Sequence, residues 1–394
     1  MAQRNVVIVS AVRTAIGTFG GALNAIAPTQ LGALVVAEAR RRAGLDGADV
    51  GQVVFGNVIH TEAADMYLAR VAALKGGVTQ HAPALTLNRL CGSGLQAIVS
   101  AAQAILLGDC EVAVAGGAES MSRAPHAMQA ARWGTRMGDT SLTDMLTGAL
   151  TDPFEAVHMG VTAENVAQRF GITRAQQDAL ALESHRRAAH ALASGYFKEQ
   201  ILPVEVRTRK GTVLFDTDEH VRAETTLEQL AAMRTVFQRD GTVTAGNASG
   251  INDGAAALVL MEAEEAVRRG LKPLGRLLAY GVAGVDPQFM GIGPVPATRM
   301  ALERAGLTIA DLDVIEANEA FAAQACAVAQ QLEFDPAKVN PNGSGISLGH
   351  PIGASGAIIA VKALYELQRS GGRHALATMC IGGGQGIAAV FGRG

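Results

Sequence analysis

The hydrophobic positions of this chain come in short, nearly unbroken runs, most of them closed by glycine. Residues 6–12 are such a run and predict a buried strand ahead of the glycine-rich loop 13–21. Thr29 is placed to cap a helix that runs to about Ala43 and stops at Gly44. Residues 53–59 read as the next strand, 65–75 as a helix closed by Gly76-Gly77, and 84–87 as an extended run. Residues 95–107 are apolar almost all round, through Leu95, Ile98, Val99, Ala102, Ile105 and Leu106, which predicts a helix inside the core, stopped at Gly108-Asp109. A strand at 112–115 follows and ends at Gly116-Gly117-Ala118-Glu119-Ser120. Strands alternating with helices point to an α/β sheet.

From 121 to about 242 the pattern changes. Trp133, most of the histidines and many charges fall here, with helices predicted over 161–170 and 174–194. This reads as an inserted, more exposed region. Regular order returns at Thr244-Ala245-Gly246-Asn247-Ala248-Ser249-Gly250, followed by an apolar helix or strand through Leu260. After Leu271 the early order of parts recurs: a strand at 277–282, a helix at 296–305, a strand at 314–316. Gly353-Ala354-Ser355-Gly356 then opens a helix over 358–367, and a strand at 375–379 leads into Cys380-Ile381-Gly382-Gly383-Gly384. An α/β unit used twice, with equivalent loops meeting at one site, is the natural reading.

At 394 residues the chain has room for two or three domains, or two halves sharing one large core. Hydrophobic content is 49% against 18% charged, so much of it is interior. No apolar run is expected to approach a membrane span, and the opening residues lack a signal-peptide pattern. A net charge of −3 gives no basis for nucleic-acid or membrane binding. The four cysteines are scattered without metal-ligand spacing or disulfide density, so the expectation is a reduced, cytoplasmic protein with no metal site.

Cys91 is the first residue with chemistry in prospect. It precedes a buried helix, where unpaired N–H groups and the dipole favour thiolate, and its neighbours Gly92 and Gly94 admit close approach. A cysteine that merely packs in the core explains the same stretch. The balance shifts when four motifs are taken together: Asn88-Arg89-Leu90-Cys91-Gly92-Ser93-Gly94, Asn318-Glu319-Ala320-Phe321-Ala322, Gly349-His350-Pro351-Ile352-Gly353-Ala354-Ser355-Gly356, and Cys380-Ile381-Gly382-Gly383-Gly384. Their order and spacing resemble the thiolase family over essentially the whole chain.

That resemblance implies a duplicated core of two mixed-sheet halves layered α/β/α/β/α, formed by 1–120 with 243–270 and by 271–394. A loop domain at 121–242 is inserted. It implies Claisen exchange between coenzyme A thioesters, with acetyl-CoA, acyl-CoA and CoA as substrates and no cofactor. In that scheme Cys91 is acylated and His350 takes its proton. Cys380 protonates the leaving CoA thiolate and then takes a proton from the second acetyl-CoA. Asn318 holds a water that forms one oxyanion hole with His350, and the N–H groups of Cys91 and Gly382 form the other. His158, Met159, Arg222, Ser249, Met290, Ala320 and Phe321 fall at substrate- and CoA-binding positions. The nearest likeness is to bacterial β-ketothiolases of polyhydroxyalkanoate producers, in the form that also takes a propionyl unit, and a homotetramer built of dimers is implied. A β-ketoacyl synthase would require a second motif histidine where this chain has Cys380, and a non-catalytic relative would have lost Cys91, His350 or Cys380. One departure stands out: many thiolases read Gly-Gly-Ala-Ile-Ala where this chain has Gly343-Ser344-Gly345-Ile346-Ser347. Its added hydroxyls are expected to alter hydrogen bonding around His350 and to bear on chain-length preference.

Overall fold

The computed structural model describes residues 4–209 and 211–394. The first part of the chain forms β1 (Val6–Thr14), α1 (Pro28–Arg42), β2 (Gln52–Gly56), α2 (Leu68–Lys75), β3 (Ala84–Leu87), α3 (Ser93–Leu107) and β4 (Val112–Ser120). Then come α4 (Met159–Phe170), α5 (Arg174–Ala193), β5 (Asn252–Glu262), β6 (Gly275–Gly284), α6 (Pro294–Ala305) and β7 (Val314–Ala317). The chain finishes with α7 (Ala322–Gln331), α8 (Ile352–Ser370), β8 (His374–Ile381) and β9 (Gln385–Arg393).

These strands lie in one mixed sheet in the order β7-β8-β9-β6-β1-β5-β4-β2-β3. The duplication is visible in the pairing. In the first half β1 and β5 are antiparallel, β5 and β4 antiparallel, and β4, β2 and β3 parallel. In the second half β6, β9, β8 and β7 repeat the same sequence of directions, and the fifth strand is reduced to a parallel bridge between Ile315 and Val339. Both leading strands carry a register shift at the same place, between Ile8 and Ser10 in β1 and between Leu277 and Ala279 in β6. The halves join edge to edge where Val7 and Ile8 pair with Arg276 and Gly275 and Leu274 N–H donates to Ile8 O (2.8 Å).

Alternation along the strands builds the layers. Val53, Phe55, Val112, Val114, Ala257 and Val259 face α1 and α2. Val54, Ala113, Ala115, Leu258 and Leu260 face the other way, onto α3 and α8, and so do Met379, Ile387 and Phe391 of the second half. The outer face of that half, through Leu376, Ala388 and Val390, is covered by α6 and α7. Helices therefore alternate with sheet halves in five layers, with α3 and α8 in the middle. A Cβ on Gly94 would come within 2.6 Å of the Ala357 nitrogen, and one on Gly356 within 2.3 Å of the Leu95 nitrogen, so glycine is what lets the two central helices touch. Each large side chain buried on α3, such as Leu95, Ile98 or Ile105, contributes about 1.5–3 kcal/mol. Gly108 (φ +85°) and Gly371 (φ +73°) end these two helices in the same left-handed way.

Several expectations need correction. Thr29 is not a cap: α1 starts at Pro28 behind Ala27, and Thr29 is buried in its first turn. The predicted helix over 65–75 opens as a 3-10 turn, Ala63–Tyr67, before α2. β2 stops at Gly56, three residues early, and β4 runs straight through its glycines to Ser120. The final strand, β9, went unpredicted. The expectation about apolar runs also fails by length and composition: Leu90–Leu107 is 18 residues without a charge, enough to cross a membrane. Its place between α8 and the sheet explains that composition as core.

β4 and β5 are sheet neighbours, yet most of the chain between them lies off the sheet, touching it where Ile201 and Leu202 pair with Arg13 and Thr14 of β1. The excursion is tied back firmly. The Arg13 guanidinium, fully buried, donates to both Asp218 oxygens (2.7 and 2.9 Å) and to Gln200 Oε1 (2.8 Å), which fixes the approach to Arg222.

Candidate active site

Cys91 sits in the tight turn between β3 and α3. Leu90 N–H donates to Asn88 Oδ1 (2.8 Å), Arg89 N–H to Ser93 Oγ (2.8 Å) and Gly92 N–H to Arg89 O (3.0 Å). These bonds hold Leu90 at φ +45°, which costs a leucine on the order of 1–3 kcal/mol. The strained turn presents the next residue, Cys91, to a cavity of about 650 Å3. Its sulfur faces the backbone N–H groups of Gly382 and of Cys91 itself.

Gly382 follows Cys380 in the turn between β8 and β9. Gly383 and Gly384, at φ +79° and +82°, are what reverse the chain there. Cys380 is buried among Met159, Met290, Ala320 and Phe321, and it lies close enough to Cys91 for their charges to interact.

His350 comes from the loop before α8. Its N–H donates to Asn252 Oδ1 (2.9 Å), and Asn252 Nδ2 donates to Gly17 O (3.0 Å), which anchors the histidine backbone to β5. On the ring, Nδ1 lies 2.6 Å from Ser355 Oγ, whose own hydroxyl reaches Pro351 O at 2.9 Å. With that hydroxyl donating to the carbonyl, Ser355 accepts from Nδ1–H, and the tautomer leaves the Nε2 lone pair free as a base. Asn318 extends from the end of β7, and its Nδ2 stands 3.5 Å from His350 Nε2. Asn318 does not line the large cavity itself but approaches it through His350.

The binding positions named from the resemblance all line this cavity. His158 caps α4, accepting from Gly160 N–H (3.0 Å), and stacks on Phe237 at 4.6 Å; Phe237 meets Phe321 edge-on at 6.2 Å. Ser249 is fixed by its N–H to Ala320 O (3.0 Å), which ties the loop at 244–250 to the loop at 318–322. Met159 and Met290 supply buried apolar wall, while Arg222 stands exposed at the rim. His220, half-buried two residues before Arg222, lines the same space and was missed; a second basic side chain beside Arg222 was the available signal.

Two further residues were not singled out from sequence. Ser355 lies one turn into α8 from His350, and a hydroxyl at that spacing was the clue. Glu119 is the one charge in the otherwise apolar and small β4. The expectation about Ser344 and Ser347 also changes. Ser344 Oγ donates to Ala317 O (3.2 Å), and Ser347 Oγ lies 2.8 Å from Ser184 Oγ, which reaches Glu319 Oε2 at 2.6 Å. These hydroxyls bind α5 to the Asn318 loop rather than contacting His350.

Electrostatics overturn one expectation. Burial pushes the Cys91 thiol up to about 11, outweighing the pull of the two backbone N–H groups; the nearby Glu119 charge adds to the rise. Burial raises Cys380 further, with Cys91 beside it adding to the effect. His350 is pushed down to about 4 by burial. The resting site therefore holds two thiols and a neutral imidazole, not a preformed thiolate. It can pass a proton from sulfur to nitrogen as a bond to carbon forms, with two N–H donors aimed at the same place.

A pH dependence follows. The folded value for His350 lies below its unfolded value of about 6.5, so its contribution to stability is complete above that pH and is lost as pH falls towards about 4. We expect this residue to remove about 3 kcal/mol of unfolding free energy across that window. Urea unfolding between pH 7 and 4 should show a shallower decline for His350→Asn than for wild type; parallel curves would contradict the assignment.

Known proteins resemble this chain along almost its whole length. The family model for the thiolase N-terminal domain matches residues 6–264, and that for the thiolase C-terminal domain matches 271–393. The chain is 71% identical over 391 residues to Beta-ketothiolase BktB of Cupriavidus necator, covering 99% of each. It is 51% identical to an acetyl-CoA acetyltransferase of Pseudomonas aeruginosa, over 99% of this chain and 100% of that one. The crystal structure of human mitochondrial 3-ketoacyl-CoA thiolase in complex with CoA superposes with a TM-score of 0.96 at 44% identity, covering 100% of this chain and 98% of that one. With both domain models matched along almost its whole length, the chain belongs to the thiolase family.

Proposed function

We propose that this chain is a β-ketothiolase, an acetyl-CoA C-acetyltransferase that condenses two acetyl-CoA reversibly to acetoacetyl-CoA and CoA, and that also accepts a propionyl unit. The observation that carries this reading is the meeting of Cys91, Cys380 and His350 in one cavity, with two backbone N–H groups at the Cys91 sulfur.

The steps balance on these groups alone. Cys91 Sγ gives its proton to His350 Nε2 and attacks the thioester carbon. The oxyanion takes hydrogen bonds from the N–H groups of Cys91 and Gly382, each such donor contributing about 3 kcal/mol. Collapse expels the CoA thiolate, which takes the Cys380 proton and leaves as CoA. The Cys380 thiolate removes the α-proton of a second acetyl-CoA. Burial that raises the Cys380 thiol also makes its thiolate a stronger base, which this weakly acidic C–H needs. The enolate oxygen is held by protonated His350 and by a water on Asn318. Its carbon attacks the acyl group, and Cys91 leaves and recovers its proton from His350. CoA thioesters are substrates here, and no metal or cofactor is called for.

His158, Met159, Met290, Ala320 and Phe321 bind the pantetheine and acyl end in this reading, Ser249 contacts pantetheine, and Arg222 meets the CoA phosphates. We further read 1–120 with 243–270, 121–242, and 271–394 as the three structural units. A cytoplasmic homotetramer fits the four free thiols and the exposed Trp133, Met137 and Leu142, which offer apolar surface for a subunit to bury. The runner-up is a degradative 3-ketoacyl-CoA thiolase. Thiolysis rates over 3-ketoacyl-CoA chain length, read by loss of enolate absorbance, separate the two. We expect the highest kcat/KM at four and five carbons; a maximum at long chains would establish the alternative, and no thiolysis at any length would refute both.

A further inference from the structure

Cys91 and His350 belong to different halves of the molecule, so something must register one against the other. α8 begins two residues after His350 and carries no cap of its own: Pro351 is at its N-cap, and its first turn has no acid. The missing partner arrives from the other half. Glu119 Oε2 accepts from Gly353 N–H (2.9 Å) in that first turn and from Val58 N–H (3.0 Å); Oε1 accepts from Ile59 N–H (3.1 Å) and Asn57 Nδ2 (3.0 Å). Four N–H donors thus converge on one fully buried carboxylate. All four partners are donors, so protonation would turn at least one of them away, and the helix start favours the anion. The contact is tight as well as polar. A Cβ on Gly117 would come within 2.2 Å of Gly353 O, and one on Gly353 within 2.4 Å of Glu119 Oε2.

We infer that Glu119 is a positioning residue for the reaction, locking the start of the His350 helix onto the half that carries Cys91. The inference rests on the proposed function, in which those two side chains react together. Burial raises the Glu119 carboxyl and Asp65 nearby adds to the rise, but its backbone N–H partners pull the other way. With four donors around it an acid proton would find no acceptor, so the anion is the form this site holds. Its charge also acts on Cys91, which it makes harder to ionise. The chain therefore tolerates a charge that opposes Cys91 ionisation, which fits a role in geometry rather than in activating the thiol.

Glu119→Gln tests this, because the amide keeps the shape but turns a donor towards N–H groups. We expect kcat for acetoacetyl-CoA thiolysis to fall about 30- to 100-fold, as for a displacement of about 1 Å between reacting groups, with KM for CoA changed less than about 3-fold. A residue that only held the fold would lower the melting temperature and the fraction of active enzyme, leaving kcat per folded molecule at the wild-type value. Should Glu119→Gln not fold, Asn57→Ala keeps the carboxylate and removes one of its donors; kcat should then fall about 3- to 10-fold. A folded variant of either kind with wild-type kcat overturns the inference. Wild-type enzyme that takes no acetyl group on Cys91 from acetyl-CoA overturns the proposed function and this inference with it. Wild-type acetylation beside a fully active Glu119→Gln overturns this inference alone.

Discussion

Replacing Cys91 with serine is expected to lower turnover by about 10⁴-fold or more in both directions, with fold and CoA affinity preserved. The change leaves the side chain almost the same size in a turn whose hydrogen bonds come from Asn88, Arg89 and Ser93, so packing is not at issue. What is lost is chemical. A hydroxyl holds its proton far more tightly than the thiol, and the acceptor is an imidazole already pushed down to about 4. Burial raises the thiol and disfavours a resting thiolate, so proton transfer accompanies attack, and the weaker nucleophile fails at that point. Loss of activity with unchanged melting temperature and unchanged CoA binding by calorimetry checks this. Residual turnover above about one part in a hundred would mean another group takes the acyl chain.

Cys380→Ala should be nearly as severe for the complete reaction, about 10³-fold or more, but should divide the two half-reactions. Acyl transfer onto Cys91 needs Cys380 only to protonate departing CoA, and solvent can supply that proton slowly. Removal of the α-proton has no such substitute in a pocket walled by Met159, Met290 and Phe321. Acetyl-CoA should therefore load the variant and stop there, leaving acetylated enzyme that accumulates. Losing one small buried side chain leaves a cavity worth about 1–2 kcal/mol, which a chain of this size tolerates. Equal slowing of both half-reactions would contradict the division of labour between the two sulfurs.

Much of this was legible in the sequence because local pattern and tertiary role coincide. The apolar-all-round stretch of α3 had to be interior, and it is. The recurrence of a glycine-flanked helix followed by a short strand at 92–116 and 353–384 marked a duplication, which the matched strand directions and paired register shifts bear out. Other features depend on contacts between distant segments. Glu119 looks ordinary until β4 meets the loop after β2 and the start of α8. Thr29 has the chemistry of a cap, but Pro28 starts the helix one residue earlier and buries it. The thiolate expected of Cys91 follows from the helix end alone; burial, a property of the whole fold, outweighs it. Span-like composition in Leu90–Leu107 is likewise resolved only by seeing what surrounds it.

The central claim, that Cys91 carries the acyl group beside Cys380 and His350, is tested most directly by trapping. Enzyme is mixed with acetyl-CoA alone, quenched in acid, digested and mapped by mass spectrometry. The account predicts one acetyl group on the peptide that contains Cys91, lost on adding CoA and retained longer in Cys380→Ala. Acetyl on Cys380, Cys110 or Cys326 instead, or on no residue while turnover continues, would contradict it.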